Sequence, residues 1–267
     1  MTEMSEPVAA PARGRRGRKS SRRPVTVLGV LGELLITAGA VVLLFIGWQL
    51  WWNDAFVAGE QSKAAADLSN GWIAQDRNAR DADKPAPVPA DYGDPIVSAA
   101  PGVGDAFAVL FVPRFGADYH RTIAEGVGTG VLNSTRLGIG HYPDTQMPGE
   151  VGNFAVAAHR SAYGGGMHLI NELQLGDAIY VQTADGYFTY RFRDMEYVAP
   201  TEVAVLAPVP GAVDKAATDA LITLTSCNPL YSTAERIIAY GVFESWRPTS
   251  AGPPAELAPI IAAQAKG

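Results

Sequence analysis

The chain of 267 residues is long enough for one domain of ordinary size with extensions, or for two small domains. Its formal net charge is −6, but the charges are unevenly distributed: seven basic residues precede residue 24, whereas 14 basic and 24 acidic residues follow residue 52. Because phosphate binding needs a basic surface, the acidic part is not expected to bind nucleic acid.

A long apolar segment lies near the start of the chain, at residues 25–52. Its part from 34 to 52 carries no formal charge, and about 20 apolar residues are enough to cross a bilayer as a helix. We therefore predict a transmembrane anchor at residues 24–52, with a basic cytoplasmic arm at 1–23. The bulk of the protein is then expected outside the cell, attached to the cell membrane by this single pass.

A cleaved signal peptide is the alternative for the same segment, because it shares the basic start. Its apolar core would be shorter, however, and it would end at a small-residue cleavage site, of which the following sequence offers only poor versions. Trp48, Trp51 and Trp52 also suit the outer interface of an anchor that is kept.

Residues 53–105 are predicted to form an extracytoplasmic stalk and linker. The stretch 55–80 is rich in alanine and weakly amphipathic, which indicates a short helix. The residues after it, 81–105, are dense in proline, alanine and aspartate, which is typical of an extended spacer.

From residue 106 onward, short runs rich in Val, Ile, Phe and Tyr are separated by Gly, Pro and Asp turns, which predicts β-strands. The expected strands are 106–113, 121–125, 152–159, 177–183, 187–198, 221–227 and 236–246, with a hairpin turn at 184–186. Only brief helices fit between them, around 127–133 and 167–173. The pattern favours a closed or nearly closed β-barrel over a parallel βαβ sheet, in an all-β domain at 106–248 followed by an Ala- and Pro-rich tail at 249–267.

The single cysteine of the chain, Cys227, lies at the end of one of these strands. Strand alternation places it on one face with Thr223 and Thr225, in a row of polar side chains. If the strands 221–227 and 236–246 pair as a hairpin, Arg236 faces Cys227. His159 ends another strand, where small alanines on its own face leave room for a ligand.

Each of these three residues has an ordinary structural interpretation when it is taken alone: a buried inert thiol, a core histidine and a solvated arginine. Together they favour chemistry, because a lone thiol outside the cell has no disulfide partner within the chain and is open to oxidation. Cys227, His159 and Arg236 then fit the roles of nucleophile, proton partner and oxyanion stabiliser.

The motifs around these residues resemble those of the sortases. They are TLTSC at 223–227, followed nine residues later by Arg236, and the upstream PGEVGNFAVAAHR at 148–160, which contains His159. The companion stretches FVPRFGADYHRTIAEGV (111–127) and GIGHYPDTQMPGEVGN (138–153) are most similar to class E sortases of high-GC Gram-positive bacteria. Two positions depart from the family pattern: Ser226 stands where threonine is usual, and Ala158 where glycine is common.

The resemblance implies an eight-stranded sortase-type β-barrel with short helices, and a cysteine transpeptidase. Cys227 would cleave a C-terminal sorting signal of the LAXTG or LPXTG type between Thr and Gly through a thioester. An amine of a peptidoglycan precursor, such as the stem peptide of lipid II, would then receive the surface protein. Thr225, Ser226 and Tyr142 are the implied substrate-binding residues, and no cofactor is expected.

Two other functions stay open at this point. A pilus-polymerising sortase would use the same three residues with a lysine nucleophile, but its lid would carry an aromatic residue, and none adjoins Asp94-Pro95. The chain could also be a catalytically silent, membrane-anchored binding module. A metal site is not expected, because His120, His141 and His168 are too widely separated for a ligand pair.

Overall fold

The structure is a computed structural model that describes residues 26–48, 52–80 and 92–264. The predicted cytoplasmic arm (1–23), part of the Pro-rich spacer (81–91) and the last three residues of the tail (265–267) lie outside the described residues. The chain divides into two units, Met1–Ile46 and Gly47–Gly267.

Helix α1 (Val27–Gly47) forms in the apolar segment, and all but its last residue belongs to the first unit. By length and composition this helix is able to cross a membrane, and its apolar side chains are exposed. The expected N-terminal apolar helix is therefore confirmed, and it suggests single-pass anchoring.

The second unit is a closed β-barrel with helices on its outside. Its helices are α2 (Asn53–Ala79), α3 (Thr129–Leu132) and α4 (Ala258–Gln264). Its strands are β1 (Ala106–Phe111), β2 (His120–Glu125), β3 (Gly138–His141), β4 (Gly152–Ala158), β5 (Ala178–Gln182), β6 (Gly186–Val198), β7 (Ala220–Asn228) and β8 (Glu235–Pro248).

The strands follow the order β1-β2-β3-β4-β7-β8-β6-β5, and β5 closes the barrel by pairing with β1. The pairs β2/β3 and β4/β7 are parallel, and the other pairs are antiparallel. The fold class predicted from the sequence, an eight-stranded barrel, is confirmed. So is the hairpin turn between β5 and β6, where Gln182 pairs with Tyr187.

Alternation along β7 decides which of its side chains face the core. Ile222 and Leu224 are fully buried in the barrel interior, whereas Thr223, Thr225 and Cys227 share the opposite, outer face, where the two threonines are also buried. The division into these two faces is the one that the sequence predicts. A large apolar side chain that is fully removed from water contributes about 1.5–3 kcal/mol, so the interior is the main source of stability.

The outside of the barrel is partly covered by segments that the sequence sets apart from it. Helix α2 buries a face whose members recur every fourth residue: Val57, Gln61, Ala65 and Ser69. The predicted tail also packs on the barrel, since Leu257 is fully buried and Ile261 is nearly so. Both segments cover the outer face of β1, β5 and β6.

One strand, β3, has no counterpart among the predicted strands. It is four residues long, with the sequence GIGH, and glycine weakens the strand signal. The backbone needs glycine here, because a Cβ at Gly140 would lie 2.3 Å from the carbonyl oxygen of Gly126. The expected helix at 167–173 is reduced to a 3-10 turn, Ile170–Glu172.

Candidate active site

Cys227 and Arg236 are brought together by the β7/β8 hairpin. The two residues are Cα partners in the antiparallel ladder, where Cβ atoms lie about 4.5–5.5 Å apart. Both side chains are partly exposed. Nη1 of Arg236 donates to the carbonyl oxygens of Thr233 (3.2 Å) and Glu235 (3.0 Å). These bonds hold one terminal nitrogen of the guanidinium against the hairpin loop. Among the described residues, Nε and Nη2 of Arg236 have no protein acceptor, so they are available to a substrate.

His159 reaches the same end of the barrel from the parallel neighbour of β7. The β4/β7 ladder ends with the pair Ala157 and Thr225, and His159 and Cys227 each lie two residues beyond that pair, at the same end of the barrel. The strand that carries the histidine and the strand that carries the cysteine are therefore adjacent, although the two residues are far apart in the sequence.

The contacts of His159 define which of its nitrogens can exchange a proton. Nε2 lies 2.8 Å from Oδ1 of Asn133, an oxygen that can only accept, so Nε2 carries the hydrogen. Nδ1 is then the nitrogen that is free to take or give a proton. Burial lowers the pKa of His159, while the nearby charge of Asp54 raises it, and the net direction is downward.

Tyr142 and Thr225, two of the predicted substrate-binding residues, are in contact. The tyrosine hydroxyl lies 3.1 Å from Oγ1 of Thr225, which itself donates to the carbonyl oxygen of Val156 at 3.2 Å. Since the threonine proton is used there, the tyrosine is the donor between the two hydroxyls. Together they line the outer face of β4 and β7 beside the cysteine.

Ser226, the third predicted substrate-binding residue, lies on the opposite face of β7. Its hydroxyl is buried and donates to the carbonyl oxygen of Ala158 at 2.8 Å. This hydroxyl is therefore used inside the barrel wall, and no substrate contact is proposed for it.

A buried network fixes the loop that carries Tyr142. His141, which precedes it, is fully buried, and its Nδ1 lies 2.7 Å from a carboxylate oxygen of Glu125. Thr145 contacts Nε2 of the same histidine at 2.9 Å and donates to the carbonyl oxygen of Tyr142 at 2.8 Å. One of the histidines that invited a metal interpretation thus has a protein partner on each nitrogen.

Two further arginines, Arg160 and Arg191, also carry a charge that could stabilise an oxyanion, and the structure separates them. The guanidinium of Arg160 is buried and bonds to the side-chain oxygens of Asn228 and Asn171, so it lies next to the residue that follows Cys227. Arg191 is ion-paired with Glu244 and Glu256 and pairs with β8 at the sixth residue beyond Arg236, about 20 Å along the strand.

The sequence assigns no role to the side chains of Asn133 and Tyr163, which contact His159. The Tyr163 ring centroid lies 5.1 Å from that of the histidine. Both residues lie in loops, and neither a motif nor a period marks them. For Arg160, one feature of the sequence indicates a place near the site: it directly follows His159.

Comparisons with known proteins agree on one family. The family model that describes the sortase domain matches residues 110–244 of this chain. Sortase SrtE1 of Streptomyces coelicolor is 32% identical over 248 residues, which are 90% of this chain and 64% of that protein, so the chain spans less than two thirds of this relative. Sortase SrtE2 of the same organism is 31% identical over 246 residues, 90% of each chain. The solved structure of Sortase E1 from Streptomyces coelicolor with a tripeptide in the active site is 36% identical, with a TM-score of 0.53, over 60% of this chain and 99% of that one.

Proposed function

Because this chain belongs to the sortase family and groups with its class E members, we propose that it is a membrane-anchored cysteine transpeptidase. Its substrate is a surface protein with a C-terminal LAXTG- or LPXTG-type sorting signal, which it cleaves between Thr and Gly. Its product is that protein joined through the threonine to an amine of a peptidoglycan precursor, such as the lipid II stem peptide. The observation that carries the proposal is the strand register that pairs Cys227 with Arg236 and sets the strand of His159 alongside.

The first half of the reaction forms a thioester. Sγ of Cys227 attacks the threonine carbonyl carbon, and the carbonyl oxygen becomes an oxyanion that the free N–H groups of Arg236 stabilise. When the C–N bond breaks, Nδ1 of the protonated His159 gives its proton to the departing glycine amine. The acyl group stays on the sulfur, and the histidine is left neutral.

The second half reverses these roles. An acceptor amine attacks the thioester carbonyl and loses a proton to Nδ1 of His159, and the tetrahedral intermediate collapses with release of the thiolate. An amide replaces the thioester, and the pair returns to thiolate and imidazolium. The lowered pKa of His159 favours the neutral imidazole, the form that accepts this proton, and it disfavours the imidazolium that the first half requires.

The outer face of β4 and β7 is the proposed binding site for the sorting signal. Thr225 and Tyr142 line it, and their hydroxyl pair can meet the residues before the scissile threonine. The related Sortase E1 has a tripeptide in its active site, which supports a peptide substrate for this chain.

We place the catalytic unit outside the cell and the N-terminal arm inside. The apolar helix α1 and the basic residues before it support this orientation. An acceptor that is itself lipid-linked would share the membrane with this anchor.

The test is cleavage by the full-length chain in detergent, with quenched LAXTG, LPXTG and NPXTG peptides. We expect the wild type to cleave and, with an added amine, to form the transpeptidation product. Cys227→Ala should lose both cleavage and capture of the acyl-enzyme, because the alanine has no nucleophile. Cleavage by this variant at the wild-type rate would contradict the mechanism.

The same assay separates the remaining candidates. Peptide binding by the wild type without any product would favour a silent binding module. A requirement for a lysine side chain as acceptor would favour pilus polymerisation.

A further inference from the structure

Helix α2 presents an unusual side chain to the barrel. Gln61 is fully buried at the centre of the packed face, where its neighbours along the helix are the small or apolar Val57 and Ala65. A buried amide is unfavourable unless its hydrogen bonds are made, and Oε1 of this glutamine has no partner among the described residues. An apolar side chain would pack here at lower cost, so the amide group calls for an explanation.

The amide nitrogen of Gln61 joins two loops of the barrel. Nε2 donates to the carbonyl oxygen of Ser134 at 2.8 Å and to that of Tyr163 at 2.9 Å. The first loop follows α3, and the second follows the end of β4. A single side chain of α2 therefore uses both of its N–H groups to hold two segments that are about 30 residues apart.

Both loops contact His159. Asn133, which precedes Ser134, bonds to Nε2 of the histidine, and the ring of Tyr163 packs against the imidazole at 5.1 Å between centroids. Of the two residues whose carbonyl oxygens bond to Gln61, one directly follows Asn133, and the other is Tyr163 itself.

The backbone of the second loop needs such support. Tyr163 has φ of 50°, in the left-handed region that bulky residues rarely adopt and keep only where the surrounding structure holds them. The next residue, Gly164, has φ of 86° and lies so close to α2 that a Cβ would come 2.7 Å from Oε1 of Gln61 and 3.0 Å from the backbone nitrogen of Ala58. The helix and the loop are in direct contact at this point.

We propose that Gln61 is a positioning residue for His159, so that the helix before the barrel is a working part of the active site. This inference rests on the proposed function, which assigns proton transfer to that histidine. Gln61 acts through Asn133 and Tyr163 and does not itself touch the substrate.

The test uses the full-length chain in detergent and two variants on the same face of α2. Gln61→Met keeps the length of the side chain and removes both donors. Ser69→Ala is the matched control, since it removes a buried hydrogen bond from α2 to Gln182 (2.7 Å) that reaches neither loop. The melting temperature of each variant shows how much stability it loses.

Two readouts separate positioning from mere stability. Gln61→Met should lower kcat for the LAXTG peptide at least about tenfold with KM near the wild-type value, because a misplaced proton donor slows chemistry more than binding. It should also shift the pH dependence of Cys227 alkylation by iodoacetamide toward that of His159→Gln, whereas Ser69→Ala should match the wild type in both. The proposal is overturned if Gln61→Met behaves as Ser69→Ala does.

Alkylation needs no sorting signal, so it keeps the two proposals distinguishable. If no peptide is cleaved but the alkylation profile of Gln61→Met moves toward that of His159→Gln, the proposed function fails and the positioning role stands. If His159→Gln leaves the profile of the wild type unchanged, the histidine does not act on the thiol and the positioning role is overturned with it.

Discussion

Replacing Arg236 by lysine keeps the positive charge and removes the planar fork of donors. An arginine side chain has five N–H groups, and two of those on Arg236 are directed to the carbonyl oxygens of Thr233 and Glu235 by Nη1. Three remain for the oxyanion and the substrate. A lysine that made the same two loop contacts would have a single donor left, so we expect kcat/KM to fall at least about tenfold, or about 1.4 kcal/mol of transition-state stabilisation.

The assay is continuous cleavage of a quenched LAXTG peptide by the full-length chain, with kcat and KM determined separately. An interaction made mainly in the transition state should reduce kcat and leave KM little changed. Arg193→Lys, an exposed substitution on β6, is the control for a general effect of the exchange and should retain wild-type rates.

Wild-type kcat for Arg236→Lys would refute the assignment of the oxyanion to this fork. Arg160 would then be the next candidate, because its guanidinium bonds to Asn228, the residue after the cysteine. Arg191 would not, because its guanidinium is paired with two glutamates farther along the barrel.

Two further predictions concern stability. Glu125→Ala should lower the free energy of unfolding by about 3 kcal/mol in urea denaturation, because it leaves Nδ1 of the buried His141 without its partner. Glu125→Gln keeps an acceptor and should lower the free energy of unfolding by less. Equal losses in the two variants would contradict this reason. Burial and the charge of Arg121 lower the pKa of His120, so the unfolded chain binds more protons than the folded protein. Unfolding free energy should therefore fall as the pH decreases below about 6.5, and His120→Gln should reduce this slope; an unchanged slope would point to another group.

The pattern of apolar and polar residues along the strands predicts most of the fold. Alternation separated Ile222 and Leu224 from the face of Cys227, and the hairpin that the sequence analysis considered as a condition for pairing Cys227 with Arg236 is present in the ladder. These features depend on local periodicity and short connections, which a sequence records directly. Strand β3 was not predicted, because its two glycines allow close backbone packing and interrupt the alternation of apolar and polar residues that indicates a strand.

The surroundings of the site depend on contacts that no local pattern records. Helix α2 was expected as a stalk, since its amphipathicity is weak, and that weakness follows from the polar residues Gln61 and Ser69 on its buried face. Asn133 and Tyr163 reach His159 only because separate loops meet at one end of the barrel. Nothing in the sequence around these two loop residues indicates this contact, which depends on the closed barrel.

The position of Arg236 on the last strand of the barrel, β8, has a consequence for biosynthesis. His159 is made well before Cys227, and Arg236 is made last, so the three residues meet only when β8 has been synthesised and has paired with its neighbours. An incomplete chain carries a cysteine without its arginine partner, so an oxyanion formed on an attacked carbonyl has no guanidinium to stabilise it. The order of synthesis therefore keeps a nascent or truncated chain from starting acyl transfer on other polypeptides before it has reached its own folded state.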